Sequence, residues 1–137
     1  MADINGKFHH VGYLVKNIDK SEETFMALGF SVSKEKVFDD IRKAYISFMS
    51  GNGTVVELIE PTEESDIYPL LKKYTNAPYH MCYTVDSIPA AIEELKAKGY
   101  LLFKATEKAP AISEYSEVAF LIHNRIGMIE LLQENVQ

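Results

Sequence analysis

YHMCYTVDSIPAAIEELKAKGY, residues 79–100, decides the fold once it is set beneath HHVGYLVKNIDKSEETFMALGF, residues 9–30. At an offset of 70 residues, without a gap, His10 falls on His80, Tyr13 on Tyr83, Val15 on Val85, Ile18 on Ile88, Ala27 on Ala97 and Gly29 on Gly99. Self-similarity at a fixed offset marks a duplicated supersecondary unit. Each copy opens with aromatic and β-branched residues that suit a strand and continues as a helix. In the second copy Ser87 can cap, Pro89 suits the first helical turn, Ile88, Ile92 and Leu95 recur at helical spacing, and Gly99 supplies a left-handed stop. In the first copy Asn17 or Asp19 can cap, Phe25 and Leu28 face the core, and Gly29 is the stop.

Beyond each helix the pattern closes as a hairpin. The first copy reads KAYISFMS (43–50), the turn GNG and then TVVELIEP (54–61); the second reads EVAFLIH (117–123), NRIG and then MIELLQ (128–133). Here the offset is 73 residues, which puts Glu57 on Glu130, Val56 on Ile129 and Leu58 on Leu131. The three added residues fall in loops, where insertion costs least. The expected architecture is α+β: two βαβββ modules, over about 7–61 and 78–133. Residues 62–77 form a linker with one helical turn around Tyr68 to Lys72.

A chain of 137 residues is one domain long and buries roughly two-thirds of its unfolded surface. Its formal net charge of -6 argues against a nucleic-acid or anionic-membrane surface, because an acidic field repels polyanions. The opening MADINGKFHH has no apolar signal region, and no apolar run reaches the roughly 18 residues of a membrane span. A cytoplasmic protein is expected. Cys82 is the only cysteine, so no internal disulfide or cysteine-rich zinc site can form, and it reads as a small buried apolar residue.

The duplication gives weight to histidines that would mean little singly. Each first strand carries one, His10 or His80, and each last strand carries one glutamate inside an apolar run, Glu57 in VVELI and Glu130 in MIELL. Ionisable groups occupy such positions when they are paired or bound to a metal. Two neutral imidazoles and two carboxylates around one divalent cation sum to zero charge, which makes burial tolerable. His9 pairs with Tyr79 in the repeat, and alternation sends it to the opposite face, so it reads as structural. His123 sits by the second hairpin turn and is expected in solvent. Glu60 lies on the face away from Glu57.

The strand-borne histidine, the VEL and IEL glutamates, YHMCYTV and the terminal GMIELLQ resemble the vicinal oxygen chelate (glyoxalase/bleomycin resistance/dioxygenase) superfamily over about residues 7–133. Within it the chain looks most like short bacterial glyoxalase I (lactoylglutathione lyase) and methylmalonyl-CoA epimerase proteins. The resemblance implies a curled mixed sheet around a metal-binding cavity, with His10, Glu57, His80 and Glu130 as ligands. It also implies Glu130 as the base and, as commonly in the superfamily, a homodimer. Glu57 is the symmetry-related second base. Nickel, cobalt, zinc, iron and manganese all suit such ligands.

The leading expectation is glyoxalase I chemistry. A proton moves through a metal-stabilised enediolate of the methylglyoxal–thiol hemithioacetal to give a lactoyl thioester. The alternative is an acyl-CoA epimerase of the methylmalonyl-CoA type, which needs a second acid/base group. Where that family places a glutamate, FDDIRKAY offers Asp39 and Asp40, which otherwise read as turn residues. Arg42 and Lys43, with Asp40 beside them, are candidate contacts for a substrate carboxylate or a CoA phosphate. A non-enzymatic sequestering member is a lesser alternative. Extradiol dioxygenases use two histidines and one glutamate, and a fourth ligand would crowd that chemistry.

Overall fold

The computed structural model describes residues 3–135. They form two compact units, one of residues 10–79 and one of residues 80–135 with 3–9. The strands and helices run β1 (Lys7–Leu14), α1 (Ile18–Met26), β2 (Ser31–Asp39), β3 (Ala44–Gly51), β4 (Thr54–Pro61), α2 (Leu71–Tyr74), β5 (Ala77–Thr84), α3 (Ile88–Ala97), β6 (Leu101–Lys108), β7 (Glu117–His123) and β8 (Gly127–Gln133). This is the expected pair of βαβββ modules in an α+β fold. The linker's helical turn is the 3-10 turn Tyr68–Leu70 running into α2.

In the first module the strand order is β2-β3-β4-β1, with β1 and β4 parallel and the other pairs antiparallel. One face packs on α1 through Val15, Ile18, Met49, Val56 and Leu58. In the second module the order is β6-β7-β8-β5, again with only the β5–β8 pair parallel. Its face on α3 is Val85, Ile88, Leu95, Ala119, Leu121, Ile129 and Leu131. Ile18 and Ile88 are almost wholly buried, each contributing about 1.5–3 kcal/mol of apolar transfer. The segment ahead of the first module packs into this second unit: Ile4 lies against its core, Thr84 Oγ1 donates to Lys7 O at 3.2 Å, and Phe8 stands edge-on to Tyr83.

The helix starts are duplicated to the atom. Asn17 Oδ1 accepts Lys20 N at 3.0 Å and Ser87 Oγ accepts Ala90 N at 3.3 Å, satisfying N–H groups that the first turn leaves without a helical acceptor. A last-strand side chain adds a second acceptor in each module: Ile18 N donates to Glu60 Oε1 and Ile88 N to Gln133 Oε1, both at 2.9 Å. Glu60, set apart from the site by strand alternation, therefore holds the start of α1. Gly29 and Gly99 have φ of +97° and +95°, the left-handed stop that glycine adopts without strain. Leu28 departs from expectation. It is 63% exposed, because α1 ends at Met26 and the turn carries Leu28 outward.

Ser47 stands where the second module has Ala119. It is fully buried, and its hydroxyl has no hydrogen-bond partner among the described residues. A buried hydroxyl without a partner costs about 1–3 kcal/mol, so Ser47→Ala is expected to stabilise the protein by about 1 kcal/mol. Thermal unfolding is the check: the melting temperature should rise by about 3 °C, and a fall would show that the hydroxyl is stabilising.

Candidate metal centre

The first module builds half of a donor set on the sheet face turned away from α1. In the parallel β1–β4 pair Gly12 lies opposite Glu57, so His10, two residues earlier, shares the Glu57 face. Both are buried, His10 at 0% and Glu57 at 6% exposure, and His10 Nε2 lies 3.0 Å from Glu57 Oε1. Phe48 pairs directly with Glu57 across β3–β4, and its ring meets the His10 ring edge-on at 5.5 Å. Ring edge against ring face is the favoured aromatic geometry, and it fixes the plane of the imidazole.

The second module repeats this arrangement. Cys82 lies opposite Glu130 in the parallel β5–β8 pair, which puts His80 on the Glu130 face. His80 and Glu130 are both 3% exposed, and His80 Nε2 lies 3.1 Å from Glu130 Oε1. Phe120 pairs with Glu130 across β7–β8 and its ring meets that of His80 edge-on at 5.3 Å. Cys82 is fully buried in an apolar patch with Ala109, Val118 and Leu132, onto which Ile112 and Phe120 pack. The thiol is thus the small buried residue expected.

A carboxylate buried against an imidazole must be neutralised or stay costly, since burying a charge in apolar surroundings is strongly unfavourable. Both modules put a nitrogen donor and a carboxylate oxygen on one buried face, the donor types that divalent transition metals take. The phenylalanines escaped the sequence reading. They correspond at an offset of 72 residues, Phe48 to Phe120, between the offsets of 70 and 73 that align the flanking elements.

The remaining sequence candidates lie at the β2–β3 turn. Arg42 Nη1 donates to Asp39 Oδ2 at 2.8 Å, and Lys43 Nζ donates to Asp40 Oδ1 at 2.7 Å. Lys43 and Asp40 are a solvated pair; the Asp40 hydrogen bond holds the Lys43 ammonium above its usual range, so the pair is lost only as pH rises through that raised value. Asp39 is buried and also accepts from Ile41 N at 2.9 Å and Arg42 N at 3.1 Å. His9 is half-buried. His123, expected in solvent, is half-buried instead: its ring packs on Tyr100 at 4.8 Å, and its Nδ1 accepts Arg125 N at 3.1 Å within the hairpin turn. No helix among the described residues is long and apolar enough to cross a membrane.

The profile of the Glyoxalase/Bleomycin resistance protein/Dioxygenase superfamily matches residues 9–120. No curated protein sequence matches the chain. Among solved structures, a hypothetical protein from Bacillus halodurans is 24% identical with a TM-score of 0.82, covering 97% of each chain. Methylmalonyl-CoA epimerase from Mycobacterium tuberculosis is 20% identical with a TM-score of 0.78, over 97% of this chain and 91% of its own. The Streptomyces coelicolor methylmalonyl-CoA epimerase, in complex with 2-nitronate-propionyl-CoA, is 19% identical with a TM-score of 0.76, over 93% and 96%. At these identities the likeness is one of fold.

Proposed function

The chain belongs to the Glyoxalase/Bleomycin resistance protein/Dioxygenase superfamily, and from that premise we propose that it is a metal-dependent enzyme moving a proton on the carbon beside a thioester carbonyl, as an acyl-CoA epimerase of the methylmalonyl-CoA type does. The observation that carries this reading is the duplicated buried pair, His10 with Glu57 and His80 with Glu130. In the proposal the four side chains are ligands of one divalent ion, and the donor set fits it: two neutral imidazoles and two carboxylates balance a charge of two. When bound, such an ion supplies Lewis acidity that makes the carbon beside a carbonyl easier to deprotonate.

The chain's own residues then divide the work. The Glu130 carboxylate accepts the proton from the α-carbon while the electron pair of the broken C–H bond moves toward the carbonyl. Glu57, its equivalent in the other module, returns a proton to the opposite face, which inverts the centre. Phe48 and Phe120 keep the imidazoles in place and water away from the carboxylates. Epimerase neighbours support the acyl-CoA reading over the glyoxalase one.

One observation keeps glyoxalase I as a second reading. The acid that would stand in for the epimerases' further glutamate, Asp39, already accepts three hydrogen bonds from its own turn. A reaction with a single base, as on the hemithioacetal of methylglyoxal and glutathione, has no need of it. Incubating the metal-loaded protein with methylmalonyl-CoA in deuterium oxide, and separately with methylglyoxal and glutathione, decides between them. Deuterium entering the α-position of the first supports the epimerase; lactoyl thioester forming only with the second reverses the order. Inertness toward both would refute the proton-transfer proposal.

A further inference from the structure

A site built from two equivalent His–Phe–Glu sets cannot by itself tell one end of a substrate from the other. The chain breaks the equivalence at one place on the face that carries these sets. In the first module Asp39 pairs with Ala44 at the end of β2, and Ala44, Ile46 and Phe48 alternate along the Glu57 face. Asp39 is 2% exposed and holds Arg42 at 2.8 Å, with the Arg42 side chain 14% exposed. The offset of 70 residues carries Asp39 to Ala109 and Arg42 to Ile112, and these two pack with Cys82, Val118 and Leu132 in an apolar patch.

Stability does not account for the difference. Replacing a buried ion pair by packed apolar side chains is commonly neutral or stabilising, and the second module shows that this fold accepts the apolar solution. A second asymmetry points the same way. Lys34 and Lys104 stand at equivalent positions opposite Phe48 and Phe120, but Lys104 has Glu107 at 3.4 Å where the first module has Val37. Lys34, Val37, Asp39 and Arg42 sum to one positive charge; Lys104, Glu107, Ala109 and Ile112 sum to zero.

We propose that Arg42 anchors a carboxylate carried on the substrate's acyl group and that Asp39 is its positioning residue, so that the substrate is a carboxylated acyl thioester with its hydrocarbon part against the apolar patch of the second module. Guanidinium suits this task because its planar fork matches a carboxylate, and a fixed plane loses less entropy on binding. The inference rests on the acyl-thioester reading above and names its substrate class.

Calorimetric titration of the metal-loaded protein with malonyl-CoA, propionyl-CoA and free CoA tests it. Malonyl-CoA should bind at least about tenfold more tightly than propionyl-CoA, the scale of one charge-assisted hydrogen bond. Arg42→Leu should erase that preference while leaving propionyl-CoA and CoA within about twofold. Arg42→Lys should restore part of it. Asp39→Asn, which keeps the turn acceptor but loses the ion pair, should weaken malonyl-CoA alone and raise KM more than it lowers kcat for a carboxylated substrate. If Arg42→Leu does not fold, the Arg42→Lys and Asp39→Asn titrations carry the test. A preference that survives in the variants overturns the proposal. So does equal weakening of all three ligands, which would put Arg42 on the CoA phosphates, and so does a wild type without the preference. A wild type that shows the preference and loses it on substitution, yet exchanges no α-proton, would retire the catalytic reading and leave the anchor standing.

Discussion

Glu130→Gln is expected to lower α-proton exchange by about a hundred- to ten-thousand-fold, the usual contribution of a positioned general base. Gln keeps the length of the side chain and one carbonyl oxygen but cannot accept a proton at neutral pH. The buried position opposite Phe120 tolerates its volume, so the fold should survive. Glu57→Gln separates the two readings further. An epimerase that uses both carboxylates loses inversion but keeps some one-sided exchange, whereas a single-base enzyme retains turnover. NMR of methylmalonyl-CoA in deuterium oxide distinguishes exchange from inversion. Exchange at the wild-type rate in Glu130→Gln would remove it from the base's role.

Chelation should also have a large effect, this time on stability. Without an ion, two carboxylates stay buried beside imidazoles and their charge has no divalent counterpart. An ion bound only by the folded state stabilises it by about 4 kcal/mol when present at a thousand times its dissociation constant. For a domain of this size that is a loss of about 10 °C in melting temperature on metal removal. A scan before and after exhaustive dialysis against chelator, then after adding back each metal, should show the loss and its recovery. An unchanged melting temperature would mean that the protein does not use the ion to hold its fold.

What the sequence discloses follows from which residues face a packed surface. The first strands, helices and hairpins were legible because their apolar positions repeat, and the four ionisable residues stood out only because the repeat doubled them. β2 and β6 were not read as strands from SVSKEKVFD and LLFKATEK. Both are edge strands with register shifts, and their side chains are mostly exposed, so no alternation marks a buried face. Asp39 read as a turn residue. It is one, but the strand register also turns its carboxylate onto the site face, and no local pattern reports that. His123 looked exposed because its burial comes from Tyr100, whose approach across the module is invisible in the hairpin's own composition.

The account stands on the two His–Glu pairs acting on one ion, and metal content measures that directly. Elemental analysis of the protein after exhaustive dialysis should find one divalent ion per chain in the wild type. His10→Ala and His80→Ala, each altering a different module, should both lose most of it while remaining folded by circular dichroism. Two ions per chain, or full metal retained when either histidine is removed, would contradict a single shared site.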